Sequence, residues 1–115
     1  MTSETVYNGR DNLAEWLLTS DNVVVSDLTS VTEMKLFVND VEYNSTTLGN
    51  SLFWWTDETE YEGSTVNVIK MKLGKFGLTA NKYDNCRLRV YDPLNVDGVT
   101  WVDDVFLDVV DTDLT

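Results

Sequence analysis

The sequence predicts an all-β domain built as a two-sheet antiparallel sandwich of seven to nine strands, on three observations. Almost every apolar run alternates with period two, and none sustains the i, i+3, i+4, i+7 spacing of a helix beyond about a turn. Turn signals separate these runs at short intervals, yet the chain holds only one proline and six glycines, which fits two packed sheets better than a closed barrel. At 115 residues the chain makes one domain, large enough to bury a core without staples. The single Cys86 cannot pair within the chain. It shares a parity with Leu88 and Val90, so it is expected to be a buried thiol.

The elements follow in order. Residues 1–10 lack a pattern and are expected to be an extended arm that lies against a neighbouring subunit, leaving 11–115 as the sandwich domain. Leu13, Glu15 and Leu17 oppose Ala14, Trp16 and Leu18, which predicts a strand; a helix over 11–18, capped by Asp11 or Asn12, is the competing assignment. A turn at Ser20-Asp21-Asn22 leads into the short strand Val23-Val24-Val25, and Asp27-Leu28-Thr29-Ser30 makes a corner, for which a single 3₁₀ turn is one reading. Residues 32–38 set Met34, Leu36 and Val38 against Glu33, Lys35 and Phe37. Asn39-Asp40 then closes a tight hairpin into Val41-Glu42-Tyr43. A polar loop through Leu48-Gly49-Asn50 precedes the strand Leu52-Phe53-Trp54-Trp55-Thr56, which an acidic loop over 57–63 follows. Residues 65–73 read as one longer strand, with Ile69, Met71 and Leu73 opposite Val66, Val68, Lys70 and Lys72. Gly74 and Gly77 punctuate its exit. The chain crosses through 78–83 to the strand 86–91, and the turn over 92–98 joins that strand to the last one, 99–110.

Composition excludes several kinds of chemistry. With no histidine, Ser-His-Asp and Cys-His triads and the usual zinc sites have nothing to build from. Acid–base work would rest on carboxylates, and Asp57, Glu58, Glu60 and Glu62 crowd one loop; such a loop reads as solvated surface and not as two carboxyls held across a cleft. Asp92, Asn95 and Asp97 before Gly98 depart from calcium-loop spacing and lack its closing glutamate, so they read as a hairpin turn. No catalytic, cofactor or metal site is expected, and the protein is read as a non-enzyme. No stretch approaches the roughly 20 apolar residues of a membrane span, and residues 1–9 lack the pattern of a signal peptide. The expected location is the cytoplasm, or an assembly built there.

Twenty acidic residues against eight basic ones give a net charge of −12, which argues against nucleic acid as a direct partner. The charge is uneven. Residues 65–91 hold Lys70, Lys72, Lys75, Lys82, Arg87 and Arg89 with only Asp84 opposing, so six bases against one acid leave +5. Residues 92–115 hold seven aspartates and no base. Two readings follow: solvated strand faces, or copies meeting head to tail, basic strands against acidic end.

The adjacent tryptophans carry the functional signal. On a strand, neighbours point to opposite faces, so either Trp54 or Trp55 is expected outside the core, where tryptophan serves as an interface anchor. The alternative covers both rings within the fold, one in the core and one beneath the 57–63 segment. Tyr7 and Arg10 in the arm complete the candidate interface residues.

Several patches carry a family resemblance: Gly9-Arg10-Asp11-Asn12, Asp27-Leu28-Thr29-Ser30-Val31-Thr32, Leu73-Gly74, Arg89-Val90-Tyr91-Asp92 and Gly98-Val99-Thr100-Trp101. The chain resembles small virion proteins of tailed bacteriophages, similar to the immunoglobulin-like N-terminal domain of phage upper baseplate proteins. It departs from that pattern at Asn81-Lys82, where a glycine would precede Tyr83. The resemblance implies an immunoglobulin-like sandwich. It also implies a multi-copy structural role as a tail, baseplate or tail-fibre adaptor docked to other virion proteins, assembled in the host cytoplasm. Similar sandwiches decorate capsids or form head–tail connectors. Two readings of other classes remain: a carbohydrate-binding module used in adsorption, with a glycan as partner, and an acidic DNA mimic, against which the basic block stands.

Overall fold

The computed structural model describes residues 2–20 and 23–111. Asp21, Asn22 and Asp113, which figured in the expected turn and acidic end, lie outside the described residues. The fold is predominantly β, in the order β1 (Thr2–Asn8), β2 (Leu13–Trp16), β3 (Thr19–Ser20), β4 (Val23–Val24), β5 (Glu33–Val38) and β6 (Val41–Asn44). A four-residue helix α1 (Ser45–Leu48) follows, then β7 (Phe53–Trp54), β8 (Glu58–Tyr61), β9 (Ser64–Asn67) and β10 (Ile69–Lys72). A 3₁₀ turn (Leu73–Lys75) leads to the two long strands β11 (Asn81–Asp92) and β12 (Asn95–Asp111).

Five strands form one sheet in the order β1-β12-β11-β5-β6, and three form a second in the order β2-β10-β7. The ribbons β3-β4 and β8-β9 stand apart. One apolar cluster joins the two sheets. The five-stranded sheet gives it Val6, Met34, Leu36, Val38, Cys86, Leu88, Val90, Val105, Leu107 and Val109; the three-stranded sheet gives Ala14, Trp16, Phe53, Ile69 and Met71. β5 shows how sequence makes this layer. Its Met34, Leu36 and Val38 are buried while the alternate residues are half-exposed, and the Asn39-Asp40 turn, with Asn39 at φ 53°, folds β6 onto it. Cys86 is fully buried and free, and burial raises its thiol pKa.

Several expectations are refined or revised. Residues 2–8 are extended, but they pair in parallel with β12 from Thr2↔Val105 to Asn8↔Asp111, and Val6 is fully buried, so this segment is an edge strand of the domain and not a separate arm. Residues 65–73 are two strands: Val68 donates its N–H to the Asp57 carbonyl (3.0 Å), and the chain there passes from the β8 ribbon to the three-stranded sheet. The acidic 57–63 segment is a hairpin, turned at Glu62 (φ 51°) and Gly63 (φ 83°). The corner at 27–30 is a single i→i+3 turn, the Val31 N–H donating to the Leu28 carbonyl (3.0 Å), and Asp27 braces it, its Oδ1 accepting from the Thr29 N–H and hydroxyl; the longer 3₁₀ segment described is at Leu73–Lys75. Among the described residues the strand segments number twelve, because several are pairs too short to show in an alternation pattern.

Candidate functional site

The tryptophans sit at the β7 edge of the three-stranded sheet. β7 pairs with β10 through Phe53↔Met71 and Trp54↔Lys70, so Phe53 enters the core beside Met71, and Trp54 shares the outer face with Lys70. The strand ends there. Trp55, just past the strand, is half-buried against the core cluster and packs edge-on against Phe53, ring centroids 6.1 Å apart at 87°. Both indoles are half-buried, and they line one cleft of about 200 Å³. This fits the expectation that one of the pair lies outside the core: Trp54 stands on the outer face, Trp55 packs against the core cluster, and both rings line the cleft.

Trp54 is held in place by charge. Its Nε1–H donates to Asp57 Oδ2 (3.0 Å), and Lys70 Nζ reaches the same oxygen at 3.1 Å. The indole hydrogen bond first, and the ammonium second, hold the Asp57 carboxyl below the usual aspartate range.

The opposite wall comes from the corner after β4. Leu28 is buried and Val31 half-buried, and the corner is pinned by Asn67, whose Oδ1 accepts from the Leu28 N–H (2.8 Å) while its own N–H donates to the Ser26 carbonyl (2.8 Å). Thr29, Asn50 and Thr56 complete the lining with Asn67, so every residue around the cleft is uncharged.

Of the other predicted interface residues, Tyr7 is 47% exposed on β1, and Arg10 is exposed just beyond it, its carbonyl packed over Gly74. They belong to the five-stranded sheet, so the four candidates do not form one site. Glu58, Glu60 and Glu62 are exposed along the β8-β9 hairpin. Asp92 Oδ1 accepts from the Leu94 and Asn95 N–H groups, which makes the 92–95 segment a side-chain-capped turn. Among the described residues no cluster of acidic or cysteine side chains is placed to hold a metal, and no helix is long and apolar enough to cross a membrane.

The basic block predicted from sequence is divided: Lys70 and Lys72 lie on β10 of the three-stranded sheet, Lys75 lies in the 3₁₀ turn, and the rest, on β11, neighbours the acidic end in the five-stranded sheet. β11, bearing Arg87 and Arg89, pairs antiparallel with β12, and Lys82 lies opposite Asp108. Arg87 and Arg89 both sit over the Phe37 ring, 4.9 and 4.7 Å from its centroid. No protein-family model, curated protein or solved structure matches the chain.

Sequence reasoning missed a second surface. The β11-β12 ribbon runs on to Asp92↔Asn95 and presents Leu94 and Val96, 94% and 76% exposed, with Val99 behind them. The signal was present in Pro93-Leu94-Asn95-Val96, a turn with two large apolar residues where polar ones suffice.

Proposed function

We propose that this chain is a non-enzymatic virion structural protein of a tailed phage, an immunoglobulin-like adaptor that docks to neighbouring virion proteins in the tail, baseplate or fibre. Two features support the immunoglobulin-like assignment. The sheet orders β12-β11-β5-β6 and β2-β10-β7 correspond to the G-F-C-C′ and B-E-D orders of that fold, and the Tyr83 hydroxyl donates to the Thr79 carbonyl (2.7 Å) at the start of β11, as in a tyrosine corner.

The observation that carries the docking role is the ribbon tip. Leu94 and Val96 extend beyond the core at the end of a paired ribbon, whose last register pair is Asp92↔Asn95. Exposed apolar side chains in this arrangement mark an interaction surface. Mass spectrometry of purified, DNA-filled particles from the producing host tests the reading. A fixed copy number in the particle is expected, a few to some tens for the tail and hundreds for capsid decoration; absence from the particle overturns it. Leu94→Asp with Val96→Asp should abolish incorporation while leaving the melting temperature of the isolated chain unchanged.

A further inference from the structure

We propose that the Trp54/Trp55 cleft is a binding site for one neutral hexopyranose unit of a glycan. The inference is separate from the docking role, which the ribbon tip carries.

Charge sets the class of ligand. In a chain of net charge −12 an anion is repelled, and the uncharged lining gives a cation no carboxylate to pair with. Asp57, beside Trp54, is already engaged by the indole and by Lys70.

Hydrogen-bonding capacity narrows it. Asn67 is 8% exposed and lines the cleft, and its Oδ1 is committed to Leu28. Among the described residues no buried side-chain nitrogen or oxygen lacks a partner. Asn67 Nδ2 has no hydrogen-bond partner among the described residues, so it keeps contact with solvent, and Asn67 lines the cleft. The Thr29 hydroxyl donates to Asp27 Oδ1 (2.6 Å) and so has only acceptor capacity left. Asn50 and Thr56 at the rim offer both. The cleft thus combines fixed donors and acceptors with two indole walls. A pyranose matches both halves: its hydroxyls donate and accept, and its C–H groups pack on aromatic faces. An apolar side chain from a protein partner would fill the space but leave Asn67 Nδ2 desolvated and unpaired, at a cost.

The test follows backbone and indole N–H resonances of the isolated ¹⁵N-labelled chain during titration. The probes are the methyl glycosides of glucose, galactose, mannose and N-acetylglucosamine, each to about 50 mM, which detects the weak millimolar affinities a single ring can provide. At least one should shift the Trp54 and Trp55 indole signals and the Leu28 and Thr29 amides. Asn67→Asp keeps the acceptor for Leu28 but removes the donor, and should weaken that binding by about tenfold or more. If that variant fails to fold, Asn50→Ala with Thr56→Val, both at exposed positions, should weaken it instead. Silence with all four glycosides, shifts confined to another surface, or tighter binding of N-acetyl-leucine amide or N-acetyl-proline amide would each overturn the proposal. None of these outcomes bears on whether the chain is a virion component.

Discussion

Gly74 is the residue at which the exit from β10 meets the chain just past β1. It follows β10 in the 3₁₀ turn, and its carbonyl accepts the Gly9 N–H (2.8 Å) just past β1. A Cβ there would stand 2.0 Å from the Arg10 carbonyl oxygen and 2.6 Å from that of Tyr7. Both atoms are backbone, so no rotamer change can relieve the contact. Gly74→Ala should destabilise the fold by about 3 kcal/mol, the upper range for overpacking, in chemical denaturation. Gly77→Ala is a weaker control: its φ of 80° strains an L-residue, but nothing lies near its Cβ. A second residue-scale prediction concerns Asp57. Its carboxyl is depressed in the folded state, so its contribution to stability is present above the unfolded aspartate value and is lost as pH falls through the lower, folded one. As pH falls below the usual aspartate range of about 4, the Trp54 indole N–H resonance should therefore move as its acceptor is protonated. The step should vanish in Asp57→Asn; persistence there would show that another group titrates against the ring.

At the scale of elements, β1 decides whether the N-terminal segment is an appendage or part of the fold. It joins the sheet along seven register pairs and buries Val6 completely. Its outer edge is closed by Asn12, at φ 44°, whose side chain accepts the Tyr7 N–H (3.1 Å) and donates to the Thr5 carbonyl (2.9 Å). An edge so capped cannot readily recruit another strand. Val6→Ala should cost about 2 kcal/mol, and removal of residues 1–8 should lower the melting temperature sharply; an arm ordered only by a partner would leave it unchanged. β1 was illegible in the sequence because Thr-Ser-Glu-Thr-Val-Tyr-Asn puts a single apolar residue inward, and a parallel edge adds no alternation. By contrast β5 and the Asn39-Asp40 turn were legible, since one face is wholly apolar and the turn is local. The break at Val68 was hidden because Val66 and Val68 are buried by a ribbon that the sequence does not place. The cleft was half legible: adjacent tryptophans announce it, but the Asn67–Leu28 contact spans 39 residues, and no local pattern brings them together.

For the whole molecule, the balance of charge is the property that local structure leaves unresolved. Twenty acidic groups face eight basic ones, and three salt bridges are found among the described residues: Lys35–Glu42, Lys70–Asp57 and Lys72–Asp11. Each has at least one well-exposed partner, so each contributes little. Arg87 and Arg89 lie over Phe37. The long-range term is therefore net repulsion among carboxylates, which a compact shape concentrates and an unfolded chain relaxes. Salt screens that term over a Debye length of about 10 Å at 0.1 M, comparable with the 14.1 Å radius of gyration. Raising sodium chloride from about 10 mM to about 500 mM should raise the melting temperature by several degrees, with most of the rise below about 150 mM, where the screening length shrinks fastest. A fall over the same range would mean that the Lys70–Asp57 and Lys35–Glu42 pairs outweigh the net charge. Lys70→Met separates the two effects: it removes one attractive pair and makes the chain more negative, so its salt-induced rise should exceed that of the parent chain.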